Sequence, residues 1–236
     1  MSSLKIEEID VVILCGGLGT RLGSEAGDRP KSMVDINGKP FLDILISYVA
    51  SFGFVRFILC VGYKNQFIVD HYANKKITPH CLISEEKTPL GTGGAIKNAE
   101  HLIESSSFIA LNGDSFCPAS LKEFHAFHHK KQSKLSLVLS RVEETEDFGS
   151  VVLSQTSEIL GFNEKNAACK SGLVNSGIYF FEKKLLSKIP LGQKVSLEYD
   201  FFPTFAGRSM FGYVTDAELF DIGTPERLAM ARKKLN

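Results

Sequence analysis

Short apolar runs alternate with stretches of helical periodicity through the first half of this chain, and that alternation constrains the fold more than any other feature. The runs IDVVILC (9–15), VRFILCV (55–61), HCLIS (80–84) and SFIALN (107–112) have the length and continuity of strands buried on both faces. Between the first two, PFLDILISYVASFG carries Phe41, Leu42, Ile44, Leu45, Tyr48, Val49 and Phe52 on one helical face, with Gly53 closing the helix. Further helices are expected at 64–73, 94–104 and 118–130. Strand and helix in strict turn imply crossover connections and a mostly parallel sheet covered on both sides.

The second half is less regular. Strand-like runs at 135–141, 149–154 and 172–181 come with shorter helices, which suggests antiparallel additions forming a lid or lobe. The end is clearer. Asp-Ile-Gly-Thr-Pro-Glu (221–226) reads as strand end, turn and helix start, with Thr224 as N-cap and Pro225 at the first helical position. No repeat, low-complexity tract or linker interrupts the chain. Residues 1–236 are therefore expected to form one α/β domain with a mostly parallel central sheet and a smaller antiparallel sub-sheet. Hydrophobic residues make up 44% of the chain, enough for the core such layers need and too many for a disordered segment.

Lysine plus arginine number 27 and so do aspartate plus glutamate, so no overall field gathers nucleic acid or an anionic membrane. Any anion must be held by a local site. Cys15, Cys60, Cys81, Cys117 and Cys169 are widely spaced, odd in number and free of any C-x-x-C, which suits free thiols in a reducing cytoplasm. The opening MSSLKIEE has no apolar signal region, and no run approaches the ~20 residues that cross a bilayer. The expected location is cytoplasmic. Nothing in the sequence fixes the oligomeric state, and a homodimer is compatible with it.

The first chemical signal is LCGGLGTRLG (14–23), followed by RPKSM (29–33). A dinucleotide fingerprint needs G-x-G-x-x-G, but after Gly17 and Gly19 the third glycine comes one residue late, at Gly23. A P-loop needs a glycine directly before its lysine, and Lys31 follows Pro30. The loop is either a tight turn with surface charges or a cradle in which backbone N–H groups, Arg21 and Lys31 receive polyphosphate.

Asn112-Gly113-Asp114 follows an apolar strand of the parallel section, which puts Asp114 at a carboxyl strand end, where open α/β sheets bind ligands. A carboxylate there suits Mg²⁺, and a plain turn aspartate is the alternative. Asn37-Gly38, between MVDI and KPF, reads simply as a hairpin turn. Asp221 also ends an apolar strand, as a second metal carboxylate or as part of the turn into the last helix. In SEEKTPLGTGGAI (84–96), Pro89, Gly91, Gly93 and Gly94 precede a helix, and Glu85 or Glu86 offers a carboxylate that can accept the N1–H and 2-amino group of guanine. His125, His128 and His129 share helical spacing without an acidic or cysteine partner, and read as a solvated helix face rather than a zinc site.

Together these residues resemble the sugar-1-phosphate nucleotidyltransferases over nearly the whole chain, from Val11 to the final helix. LCGGLGTRL with RPKSM is similar to the opening signature of that family, NGD (112–114) to its metal-binding strand end, and PLGTGG to its base-contacting loop. DFGSV (147–151), FNEK (162–165) and VNSGIYFF (174–181) resemble its sugar-side pieces, and FDIGTPE (220–226) the segment with the second metal carboxylate. The order of the pieces matches.

The resemblance implies a Rossmann-like fold and a role for each residue. Leu14 and Gly16 would face base and ribose, joined by Glu85, Glu86, Pro89, Gly91, Thr92 and Gly113 around the nucleotide. Gly17, Gly19, Thr20 and Arg21 would wrap the phosphates, Lys31 would neutralise charge at the α-phosphate, and Asp114 and Asp221 would hold Mg²⁺. Gly149, Glu164, Lys165 and Asn175 would line the sugar-phosphate pocket, with the nucleotide half at about 1–115 and the sugar half at about 116–236. Two positions depart from the pattern: Ser32 stands where proline often follows the signature lysine, and Phe148 where tyrosine often precedes the glycine.

The implied chemistry is attack of a sugar 1-phosphate oxygen on the α-phosphorus of a nucleoside triphosphate. The combination of PLGTGGAI with DFGSV looks most like bacterial guanylyltransferases that use GTP and D-glycero-D-manno-heptose 1-phosphate for surface polysaccharide synthesis, with mannose-1-phosphate guanylyltransferases similar. A non-catalytic nucleotide-sugar-binding subunit would not need Arg21, Lys31, Asp114 and Asp221 together. A glycosyltransferase would typically show Asp-x-Asp, and position 116 is Phe116.

Overall fold

The structure, a computed structural model, describes residues 5–17, 22, 27, 29–62, 65–73, 79–142, 150–163 and 172–235. Its first half contains β1 (Asp10–Leu14), β2 (Asp35–Ile36), β3 (Lys39–Pro40), α1 (Phe41–Ala50), β4 (Arg56–Val61), α2 (Asn65–Ala73), β5 (His80–Glu85), α3 (Gly91–Asn98) and β6 (Ser107–Asn112). It continues through β7 (Ser115–Phe116), α4 (Leu121–Lys130), β8 (Leu135–Val142), β9 (Ser150–Leu153), β10 (Ile159–Asn163), β11 (Gly172–Glu182), β12 (Met210–Thr215), β13 (Phe220–Asp221) and α5 (Pro225–Lys234).

Nine strands form one sheet with the path β10-β9-β11-β6-β1-β4-β5, and β8 joins it by pairing with β11 and β12. The run β6-β1-β4-β5 is parallel, as the continuous apolar strands require. Along these strands alternate residues enter two separate cores. Val11, Ile13, Phe57, Leu59, Ile109 and Leu111 pack on one face, and Val12, Ile58, Phe108 and Ala110 on the other. The run at 80–84 departs from expectation, because β5 is an edge strand: His80 and Glu85 are exposed and Cys81 is only half-buried.

The antiparallel strands do not form a separate lobe. β11 pairs directly with β6, from Ile178 opposite Leu111 to Glu182 opposite Ser107, and carries β8 and β9 into the same sheet. Periodicity gave the strands, but their partners lie far away in sequence. Small antiparallel pairs also occur, β2 with β3 and β7 with β13. The first is closed by Asn37 and Gly38 at φ +52° and +88°, the left-handed pair a two-residue hairpin needs. Thr224 caps α5 by accepting from the Arg227 N–H, with Pro225 as the first helical residue.

The chain moves from β1 outward through β4 to β5, then returns to the other side of β1 as β6. The carboxyl ends of β1 and β6 are thus the point where strand order reverses, and Leu14 lies level with Cys60 and Asn112 there. At the amino end, buried Asp10 accepts from the Glu104 and Ser105 N–H groups at 2.6 and 2.8 Å and pairs with Arg56. No helix among the described residues is long and apolar enough to cross a membrane.

Candidate active site

After β6 the chain folds back over the end of β1, with the Gly113 N–H donating to Leu14 O at 2.9 Å. A side-chain carbon at Gly113 would meet that oxygen at 2.6 Å, so only glycine fits between Asn112 and Asp114. This turn presents Asp114 to Lys31, whose Nζ lies 2.6 Å from Asp114 Oδ2. Lys31 comes from a short 3-10 turn behind Pro30 and is buried, whereas the Asp114 side chain is 40% exposed.

β13 then brings the second carboxylate. Asp221 pairs with Ser115, and the Ile222 N–H donates to Asp114 O at 3.1 Å. A side-chain carbon at Gly223 would sit 2.5 Å from Asp221 Oδ1 and 3.3 Å from Lys31 Nζ, so these groups crowd one point. Arg227 Nη1 stands 3.7 Å from Asp221 Oδ1. Among the described residues no group of three or more His, Cys, Asp or Glu side chains is arranged to hold a metal ion. Two neighbouring hard carboxylates, of which Asp114 lines the cleft and Asp221 does not, nevertheless fit the way Mg²⁺ binds, with few protein ligands and the rest water and phosphate oxygen.

The cleft has a volume of about 340 Å³. Of the nucleotide and catalytic residues expected from sequence, Leu14, Gly16, Gly17, Lys31, Glu86, Pro89, Gly91, Thr92, Gly113 and Asp114 line it. Glu85 does not; it is exposed, and its carbonyl accepts from Asn98 Nδ2 at 3.1 Å. Asn175 is not in the lining either, and both ends of its amide are engaged, with Tyr179 and with the Gly177 N–H. Gly19, Thr20, Arg21, Gly149, Glu164 and Lys165, together with Phe148 and Cys169, lie outside the described residues.

Glu86 occupies the β4 side of the cleft. Its Oε2 accepts from the Leu90 N–H at 3.1 Å, and its Oε1 would lie within 2.7 Å of a side-chain carbon at Gly16 or Gly62. Those glycines make room for the carboxylate. Burial pushes the Glu86 carboxyl above the usual range, a loss that the Leu90 hydrogen bond partly offsets.

The glycines of PLGTGG, besides lining the cleft at Gly91, also engage a distant part of the chain. The Gly93 and Gly94 N–H groups donate to Val195 O at 2.8 and 3.2 Å, and the Val195 N–H donates to Leu90 O at 2.9 Å. Side-chain carbons at Gly91 and Gly94 would strike Val195 O at 2.7 Å and Gln193 O at 2.5 Å. The first turn of α3 therefore spends two donors on the Val195 carbonyl. That clasp delivers Lys194 to the cleft, a cation no motif announced.

The histidines of α4 are not a solvated face. His128 is buried, stacks on Phe180 at 4.3 Å and bonds Ser136 Oγ through Nδ1 at 2.8 Å. Burial, reinforced by His129 and His125, lowers its pKa to about 3. His125 and His129 are half-buried and share a hydrogen bond of 2.9 Å. The sheet beneath α4 is more apolar than the helix sequence alone suggested.

Residues 10–236 match the Nucleotidyl transferase family. The chain is 33% identical to D-glycero-alpha-D-manno-heptose 1-phosphate guanylyltransferase of Aneurinibacillus thermoaerophilus, over 96% of this chain and 98% of that protein. It is 32% identical to mannose-1-phosphate guanylyltransferase of Mycobacterium tuberculosis, over 93% of this chain and 62% of that protein. The crystal structure of HddC from Yersinia pseudotuberculosis complexed with GMP-PN superposes with a TM-score of 0.86 and 39% identity, covering 97% of this chain and 100% of that one. The match over almost the whole chain, together with the constellation at the ends of β1 and β6, establishes that this chain belongs to the nucleotidyl transferase family.

Proposed function

We propose that this protein transfers the guanylyl group of GTP to D-glycero-alpha-D-manno-heptose 1-phosphate, releasing pyrophosphate and forming a GDP-heptose for surface polysaccharide synthesis. The observation that carries this reading is the order of groups across the cleft. Glu86 lies over Gly62 just beyond β4, and the Lys31–Asp114 pair with Asp221 lies at the ends of β1 and β6. A base-reading carboxylate followed by a phosphate-handling centre is the sequence of chemistry a nucleoside triphosphate presents. The whole chain works as one unit in this reading, with nucleotide and sugar halves joined through β11.

An oxygen of the sugar phosphate attacks the α-phosphorus in line. The bond to the bridging oxygen breaks, and that oxygen leaves with its electron pair as part of pyrophosphate. The attacking oxygen is already anionic, so no general base is required, and positioning with charge neutralisation supplies most of the rate. Lys31, buried beside Asp114, places a fixed positive charge where the α-phosphate must sit. Arg21, Gly17, Gly19 and Thr20 hold the remaining phosphates, and Gly149, Glu164 and Lys165 bind the sugar phosphate, beside Asn175, whose amide is held by Tyr179 and the Gly177 N–H. Glu86 accepts from the guanine N1–H and 2-amino group, which adenine and the pyrimidines do not present together. Asp114 and Asp221 would hold Mg²⁺, which would supply further neutralisation of phosphate charge.

Pyrophosphate release from a panel of four triphosphates against heptose-, mannose- and glucose-1-phosphate tests the proposal. The expected result is Mg²⁺-dependent activity with GTP and the heptose phosphate. Equal rates with all triphosphates would remove the guanine assignment. A preference for mannose 1-phosphate would instead support the second reading, which the mycobacterial relative favours.

A further inference from the structure

At the carboxyl end of β6, Asn112 lines the cleft, and its carbonyl oxygen Oδ1 is buried without a hydrogen-bond partner among the described residues. A buried amide carbonyl left unpaired is costly and invites a donor.

A polar chain beneath the cleft fixes which way that amide points. Glu198 Oε2 accepts from Thr92 Oγ1 at 2.8 Å and Ser196 Oγ at 2.9 Å, and its Oε1 accepts from the Tyr179 hydroxyl at 3.5 Å. A carboxylate oxygen accepts, so the fully buried Tyr179 hydroxyl is the donor in this long contact with Glu198. Burial also holds that hydroxyl protonated, its pKa well above the usual tyrosine range. Tyr179 can then only accept from its other neighbours. Asn175 Nδ2 donates to it at 3.0 Å, and the Asn112 amide faces the same oxygen. The NH₂ of Asn112 is thus turned to Tyr179, and its carbonyl is left for something else. Gly177, at φ +75°, supplies the resting place, since a side-chain carbon there would lie 3.0 Å from Asn112 Nδ2.

We propose that Asn112 is a specificity-determining residue whose carbonyl accepts a hydrogen bond from a hydroxyl group of the sugar 1-phosphate. A carbonyl requires a donor, which excludes the phosphate oxygens of both substrates and leaves a sugar hydroxyl, a ribose hydroxyl or a base N–H. Position decides among them. Glu86 claims the base on the β4 side, whereas the Asn112 amide rests against Gly177 of β11, on the opposite side of β1. This inference rests on the guanylyl-transfer reading and sharpens it to one atom on the acceptor sugar.

The test is kcat and KM for N112A and Y179F with the parent sugar 1-phosphate, its monodeoxy analogues, GTP and the 2′- and 3′-deoxy forms of GTP. The wild type should reject one monodeoxy sugar phosphate by about tenfold or more in kcat/KM, the behaviour of a site built around a hydroxyl. N112A should raise KM for the parent sugar phosphate by about tenfold, leave KM for GTP within about twofold, and lose that rejection. Y179F keeps the carbonyl but frees the amide, so it should lose part of the same discrimination; it carries the test should N112A not fold. Discrimination retained in full by both variants overturns the assignment, and so does discrimination lost against a deoxy-GTP instead. A wild-type protein that turned over no sugar 1-phosphate would overturn the guanylyl-transfer reading itself, an outcome distinct from an active N112A with its selectivity intact.

Discussion

Lys31 Nζ and Asp114 Oδ2 lie 2.6 Å apart, yet the lysine side chain is 9% exposed and the aspartate 40%. The two partners therefore depend on each other unequally. The ammonium has little water to fall back on, whereas the carboxylate has both water and the Ser115 hydroxyl at 3.3 Å.

Substituting each partner should separate stability from catalysis. D114N leaves a buried cation without its counter-charge and is expected to cost about 3 kcal/mol in urea denaturation. K31M leaves a solvated carboxylate and should change stability by less than about 1 kcal/mol. Both should lower the rate of pyrophosphate release by about a hundredfold or more. Full activity in D114N would remove Asp114 from the catalytic centre.

Glu86→Gln should improve the fold and impair base selection. Burial raises the Glu86 pKa in the folded protein. The folded state thus favours the protonated form, and the stability this gives at low pH is lost as pH rises through the folded pKa. E86Q removes that penalty, so it should be at least as stable as wild type at neutral pH, with the difference shrinking on acidification. Wild type should prefer GTP to ITP, which lacks the 2-amino group, and E86Q should treat the two within about twofold. An unchanged GTP/ITP ratio would assign base reading elsewhere.

Two glycines of the cleft should respond in opposite ways to alanine. A methyl at Gly94 meets Gln193 O at 2.5 Å, a backbone oxygen that cannot rotate away, so G94A should lose about 2 kcal/mol of stability. Nothing stands within 4 Å of a methyl at Gly17, so G17A should melt with wild type. If Gly17 faces the phosphates, that same variant should raise KM for GTP by about tenfold. Thermal melts and steady-state kinetics on both variants check the contrast.

His128 should make the protein acid-sensitive. Its pKa falls from 6.5 to about 3 because the neutral ring is buried against Phe180. Below pH 6.5 the unfolded chain binds a proton that the folded one refuses, so stability drops as pH falls toward 3. About 3 kcal/mol should be lost between pH 7 and pH 4.5 through this residue. In H128N the urea midpoint should depend less on pH over that interval, although its value at pH 7 will be lower from lost packing.

Much of the scaffold could be read from the chain because it rests on local rules. The runs 11–14, 57–61 and 108–111 are continuously apolar, as strands between two cores must be. Asn37-Gly38 and Thr224-Pro225 carry their turn and cap chemistry in adjacent residues. The edge position of β5 was not legible, since HCLIS keeps the short apolar centre Cys81-Leu82-Ile83 of a buried strand and only strand order leaves one side without a partner. The burial of His128 was hidden for a related reason: its surroundings are Phe180 and Ser136 on other elements.

The sequence by itself determined the alternation of strand and helix, the turns, the caps and the place of Lys31, Glu86, Asp114 and Asp221 in a recognisable order. Only the tertiary structure decided which of these groups meet and which backbone donors remain for a ligand. Lys31, Asp114 and Asp221 converge because β6 lies beside β1 and β13 docks on β7. The Gly93 and Gly94 N–H groups are consumed by Val195, and the Asn112 carbonyl is left open by Tyr179 and Glu198. Hydrogen-bond allocation of this kind joins residues distant along the chain, so it depends on strand order and register, which no local periodicity encodes.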